Sequence, residues 1–148
     1  MPTENLLSKC FLFRNLTPAQ AEKLAGISTT AHYGKGEIVF DAGQPGNAMF
    51  LIHLGSVSVT VQGKEIARLG SGSHFGEMSL VDDQPRSAAV SAAESTSIIV
   101  LARDAFQKLL ATDPVLSAAI HGAFCKYLAA RLRRSNEQVC FFKEQSER

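Results

Sequence analysis

The chain has 148 residues, 45% of them hydrophobic and 20% charged, which suits one hydrophobic core and is too short for several. Its 15 basic residues against 14 acidic ones create no field that would draw in nucleic acid or an anionic membrane, so any anion site must be local. No apolar run is long enough to span a bilayer, the first five residues lack a basic-then-apolar leader, and Cys10, Cys125 and Cys140 are too dispersed for a zinc or disulfide framework, so a cytoplasmic protein with reduced thiols is expected.

Residues 1–27 read as N-terminal helices. Leu6, Leu7, Cys10, Phe11 and Phe13 form an apolar stripe. Thr17, Pro18 and Gln20 supply an N-cap, a first-turn proline and a capping-box partner for a second helix, which buries Leu16, Ala21, Leu24 and Ala25 and stops near Gly26. From 28 to 101 the pattern changes to short strands, at 37–40, 48–52, 56–61, 66–69, 86–92 and 96–101. Val57, Val59 and Val61 alternate with polar neighbours, as in a half-buried antiparallel strand, and a glycine stands near each predicted turn. The expected fold class is α+β, mainly β: a small antiparallel barrel or sandwich carrying helices at both ends.

After the strands, 102–111 reads as a short helix carrying Phe106, Leu109 and Leu110. Asp113 and Pro114 then cap a longer helix that continues to about Val139. Along it Leu116, Ile120, Phe124, Leu128 and Leu132 recur every four residues. This stripe drifts around the helix, so its first turns pack on the strands and the remainder is available to a partner helix.

The segment 72–90 carries the chemistry. Gly76 lets backbone approach an anion, and the N–H groups of Phe75, Gly76, Glu77, Met78 and Ser79 at the start of a short helix suit an oxyanion. Arg86 offers a permanent charge and a planar donor fork matched to two phosphate oxygens. Glu77 would repel a phosphate, so its role is to accept from a sugar hydroxyl beside it. Ser87, Ala88, Ala89 and Val90 leave little room for a second charge, which favours a monoanionic phosphate. The competing structural reading is an ion pair between Glu77 and Arg86 that merely closes a loop.

These residues closely resemble the phosphate-binding cassette of the cyclic nucleotide-binding domain family. That cassette reads Phe-Gly-Glu, an apolar residue, Ala or Ser, Leu, a variable loop, then Pro-Arg-(Ser/Thr/Ala)-Ala. Here it is Phe75 to Leu80, the loop 81–84, then Pro85, Arg86, Ser87 and Ala88. The resemblance covers residues 6–140 and implies a single domain: a jelly-roll-like β-roll, or double-stranded β-helix, at 28–101, with two C-terminal helices in 102–148. It implies a binding module without an added cofactor, whose ligand is cAMP or, as Ser87 also permits, cGMP, with cAMP favoured. It further implies that the C-terminal helix caps the base and reports occupancy. Similarity to catabolite activator proteins puts Ser135 and Asn136 at the adenine, while Tyr127 and Arg131 are alternative caps able to stack on a purine.

Other readings fit less well. His74 and Glu77 lack the clustered histidines a metal site would need, and no nucleophile elbow or activated cysteine suggests an enzyme. Arg131, Arg133 and Arg134 read as a solvated face, and the chain length leaves no room for a helix-turn-helix domain, so a standalone module or one taken from a channel, kinase or transcription factor is expected. A same-fold dimerisation or interaction domain answering to another effector, such as cyclic di-GMP, is the competing class. The expected partners are the nucleotide and either a second copy through the C-terminal helix or an effector protein.

Overall fold

The computed structural model describes residues 6–82 and 84–146, with side chains described through Glu137. Residues 1–5, where a leader was not expected, Asp83 of the variable loop and the Cys140 side chain therefore lie outside the described residues.

Two four-stranded antiparallel sheets form the roll expected from the strand pattern. In chain order the strands are β1 (Thr29–Tyr33), β2 (Ile38–Phe40), β3 (Ala48–Leu54), β4 (Ser56–Val61), β5 (Lys64–Gly70), β6 (His74–Phe75), β7 (Ala89–Ala92) and β8 (Thr96–Ala102). One sheet runs β1-β8-β3-β6 and the other β2-β7-β4-β5. Helices α1 (Pro18–Ile27), α2 (Arg103–Thr112) and α3 (Pro114–Ser146) cover the first sheet.

Strand β3 explains how two cores coexist. Its apolar run is continuous rather than alternating because both of its faces are buried. Ala48, Phe50 and Ile52 point into the roll, with Val57, Phe75, Val90 and Ile98. Met49 and Leu51 point the other way, into a layer built from Phe13, Leu24, Ile99, Leu101, Phe106, Leu116, Ile120 and Phe124. Leu116 is fully buried there, so Leu116→Ala should cost about 2–5 kcal/mol of stability, read as a lowered urea midpoint with unchanged slope.

Several elements differ from the sequence expectation. Residues 8–15 are not a helix but a chain of tight turns, in which Cys10 N donates to Leu7 O, Phe13 N to Cys10 O and Leu16 N to Phe13 O. The apolar residues at 7, 10, 13 and 16 repeat every three positions, which fits i+3 turns better than a 3.6-residue period. Helix α1 has the expected capping box, Thr17 Oγ1 accepting from Gln20 N at 3.2 Å and Gln20 Oε1 from Thr17 N at 2.9 Å. It passes Gly26 and ends at Ile27.

The strand expected at 86–92 begins only at Ala89, because the Arg86 backbone pairs elsewhere. Its N–H donates to Gln44 O and its carbonyl accepts from Gly43 N, both at 2.8 Å. Helix α3 starts at Pro114 as expected, with Asp113 Oδ1 accepting from Leu116 N at 3.0 Å. It continues past Val139 to Ser146, since neither glycine nor proline intervenes. Leu116, Ile120 and Phe124 are buried, whereas Leu128 and Leu132 are exposed by 38% and 62%. Lys23 of α1 reaches Asp113 at 2.5 Å and ties the start of α3 to the N-terminal layer. Among the described residues, no helix is long and apolar enough to cross a membrane.

Candidate functional site

Strand β6 delivers the chain into the roll, and the backbone then turns sharply at Gly76, whose φ of 75° is left-handed and favours glycine. A single 3₁₀ turn, Glu77–Leu80, follows. The turn uses part of the anion cradle anticipated from sequence: Ser79 N donates to Gly76 O at 3.1 Å, and the Glu77 N–H supports its own carboxylate. The cassette residues Phe75, Gly76, Glu77, Met78, Ser79, Arg86, Ser87 and Ala88 nevertheless line one cavity of about 350 Å³, together with Phe40, Val59, Asp82, Gln84, Pro85, Val90 and Arg131.

Arg86 is the centre of this cavity's electrostatics. It is only 8% exposed, yet its guanidinium has no carboxylate partner among the described residues. Nη1 donates to Ser79 Oγ at 2.7 Å and Nη2 to the Ala48 carbonyl at 2.9 Å, while Nε is buried without a hydrogen-bond partner. The Phe40 ring lies 4.2 Å below the guanidinium carbon, fixing its plane. Burial lowers its pKa, but an arginine so displaced stays charged at neutral pH. A buried cation held by neutral groups, with a donor unspent, is a half-finished anion site.

Glu77 does not close a loop by pairing with Arg86. Its carboxylate, also buried, faces the other way. Oε1 accepts from the Tyr127 hydroxyl in a short hydrogen bond and lies 3.3 Å from Arg131 Nη1, while Oε2 sits 3.5 Å from His74 Nδ1. Burial alone would raise its pKa, yet His74 and the Tyr127 hydroxyl hold it below the ordinary value, so it is ionised at neutral pH. Burial and the adjoining carboxylate push the Tyr127 phenol up, keeping it a donor. Tyr127 and Arg131 both belong to α3, so the long helix is bonded directly to the cassette carboxylate.

Of the candidate caps, Tyr127 is half-buried at Glu77 and Arg131 lines the cavity. Ser135 and Asn136 lie further along α3, exposed and outside the cavity lining. Sequence reasoning marked Phe75 but not Phe40, which lines the cavity with it, nor Phe50, which stacks on Phe75 from behind at 5.0 Å and 14°. These rings come from three separate strands, so no local spacing signals them. Gly46 was also hidden among the turn glycines: a Cβ there would overlap Ser79 Oγ, the group that accepts from Arg86.

The family model described as the cyclic nucleotide-binding domain matches residues 30–113, more than half of the chain, from β1 to the start of α3. The chain belongs to the cyclic nucleotide-binding domain family. This domain is 33% identical over 109 residues to a cAMP-dependent protein kinase regulatory subunit of Emericella nidulans, covering 72% of this chain and 26% of that one. It is 35% identical over 113 residues to a cGMP-dependent protein kinase of Caenorhabditis briggsae, covering 72% of this chain and 15% of that one. The chain thus spans about a quarter or less of these curated relatives. Among solved structures, the N-terminal domain of a transcriptional regulator from Streptomyces coelicolor superposes with a TM-score of 0.77 at 27% identity, covering 89% of this chain and 95% of that one. The jelly-roll-like architecture of the domain is that of its family.

Proposed function

We propose that this domain binds a purine 3′,5′-cyclic nucleotide, cAMP in preference to cGMP, and passes its occupancy to α3 as a regulatory module without chemistry of its own. The observation that carries the reading is Arg86: a buried cation with no counter-charge among the described residues and an unspent Nε, on the wall of a cavity sized for a mononucleotide. The cyclic phosphate supplies the missing anion, and the small walls at Ser87 and Ala88 suit its single charge. Glu77 takes the ribose hydroxyl. The base lies beyond it, under Tyr127 or Arg131, with Ser135 and Asn136 able to join only if α3 swings inward.

The coupling to α3 follows from competition. A ribose hydroxyl on Glu77 seeks the same Oε1 that now accepts from Tyr127, so binding must remake the contact between cassette and helix. The exposed Leu128 and Leu132 give the far part of α3 an apolar face for a second copy or an effector protein. We read the whole chain as one such module, in a cytoplasmic setting that keeps Cys10 and Cys125 as free thiols.

Calorimetric titration with cAMP, cGMP and cyclic di-GMP tests the proposal. The expected result is saturable binding of one nucleotide per chain, tightest for cAMP and weakest for cyclic di-GMP, whose two nucleotide units exceed a cavity of about 350 Å³ sized for one. Tighter binding of cGMP would overturn the base assignment, and silence towards all three in both heat and thermal shift would overturn the function.

A further inference from the structure

Glu77 divides its two oxygens between different parts of the molecule. Oε1 faces α3 through Tyr127 and Arg131; Oε2 faces His74, the residue that opens β6. The side chains of His74 and Glu77 are 15% and 9% exposed, so little water reaches the space between them. His74 Nδ1 is itself buried without a hydrogen bond, and Glu77 Oε2 lies 3.5 Å from it. The imidazole is boxed in on its other sides: the Tyr127 ring lies 5.6 Å away from α3, and the Cys10 sulfur approaches from the turn-rich N-terminal segment. Among the described residues, the titratable groups around the ring are Cys10 from the N-terminal segment, Glu77 from the cassette and Tyr127 from α3, with Arg131 on the far oxygen.

We infer that His74 is a positioning residue for ribose recognition, holding the Glu77 carboxylate by Oε2 so that Oε1 stays aimed at the sugar hydroxyl that the nucleotide presents. The inference rests on the proposed nucleotide reading and adds a determinant outside the residues of the cassette motif. A buried carboxylate left with partners only on Oε1 would rotate toward them, and the cost of desolvating it would favour its protonated form, which is a poor acceptor. An imidazolium on Oε2 prevents both. Burial opposes a charge on His74, but the Cys10 sulfur and the Glu77 carboxylate outweigh it and push its pKa up to about 10. A folded-state value raised above the ordinary 6.5 means that the imidazolium's contribution is complete below 6.5 and is lost only as pH rises through about 10.

The test separates positioning from simple support of the fold. Wild type, His74→Phe and His74→Asn are titrated calorimetrically with cAMP and with 2′-deoxy-cAMP, which lacks the hydroxyl at issue. His74→Phe should lose about tenfold in affinity for cAMP, the size of one charge-assisted hydrogen bond, and less than about twofold for the deoxy analogue. His74→Asn, which restores an N–H donor near Nδ1, should recover part of the loss. Equal losses for the two nucleotides, or none, would overturn the positioning role while leaving the nucleotide reading intact. Wild type that binds neither nucleotide would overturn both. Should His74→Phe fail to fold, the ring ¹⁵N shifts of His74 in wild type decide: a doubly protonated ring at neutral pH supports the role, and a neutral ring overturns it.

Discussion

Arg86→Ala should abolish nucleotide binding for practical purposes, weakening cAMP affinity by about a hundredfold to a thousandfold. The size follows from the position of the guanidinium. Deleting one member of a buried, hydrogen-bonded charge pair costs about 3–5 kcal/mol, because the remaining charge is stranded in a poor solvent. Here the stranded group would be the phosphate. The ligand-free protein should suffer far less. It loses the bonds to Ser79 and Ala48, worth about 1 kcal/mol each, but also sheds a buried cation with no counter-charge among the described residues. Calorimetry and urea unfolding on the same sample measure the two effects. Arg86→Lys should recover only part of the affinity, since an ammonium cannot reach Ser79, Ala48 and two phosphate oxygens in one plane. Unchanged cAMP affinity in Arg86→Ala would remove Arg86 from the site.

Gly76→Ala is expected to have the next largest effect, and it acts on the same guanidinium from the other side. The backbone at Gly76 has φ 75°, which costs an L-residue roughly 1–2 kcal/mol. The new Cβ would also stand 2.7 Å from Arg86 Nη1 and 3.1 Å from the Ala48 carbonyl. Those two groups belong to one fork-to-backbone contact, because the same guanidinium donates to that carbonyl through Nη2. Affinity for cAMP should fall by about tenfold or more, together with about 1–3 kcal/mol of stability. Gly76→Asn tells the causes apart. Asparagine tolerates the left-handed region better than alanine but carries the same Cβ. Recovery in Gly76→Asn would indicate backbone strain, and a matching loss would indicate displacement of Arg86.

Much of the fold was legible because its determinants are local. The capping box at Thr17 and Gln20, the Asp113 and Pro114 start of α3, and the alternation of Val57 and Val59 each need only neighbours a few residues away. Strand β1 escaped notice because Thr29–Tyr33 is polar at an edge, paired on one side only with β8 and largely exposed. The two-residue β6 is too short for any periodicity. The turn-rich segment at 8–15 was misjudged for a subtler reason: an apolar stripe fits three-residue turns and a helix almost equally over two turns.

The candidate site divides along the same line. Glu77 and Arg86 stood out because their spacing is fixed within one short stretch. Their partners arrive from far along the chain: Ala48 and Phe40, from other strands, carried no local signal, and Tyr127 and Arg131, from α3, were marked as caps for the base and not as partners of Glu77. The loop-closing ion pair was a reasonable alternative on spacing alone. It fails in three dimensions because the guanidinium turns toward Ser79 and Ala48 while the carboxylate turns toward α3.

Strand β3 acts as a party wall between two rooms. Ala48 lends its carbonyl to the arginine and Phe50 stacks its ring on Phe75 inside the roll, while Met49 and Leu51, between and after them, furnish the helical layer. An engineer retuning the pocket for another ligand would find that every change on this strand is felt next door. Val59 on β4, which lines the cavity and packs with the roll core, has no such second tenant among the described residues. A library directed at that position can vary ligand preference, while β3 is best kept unchanged as the partition of both rooms.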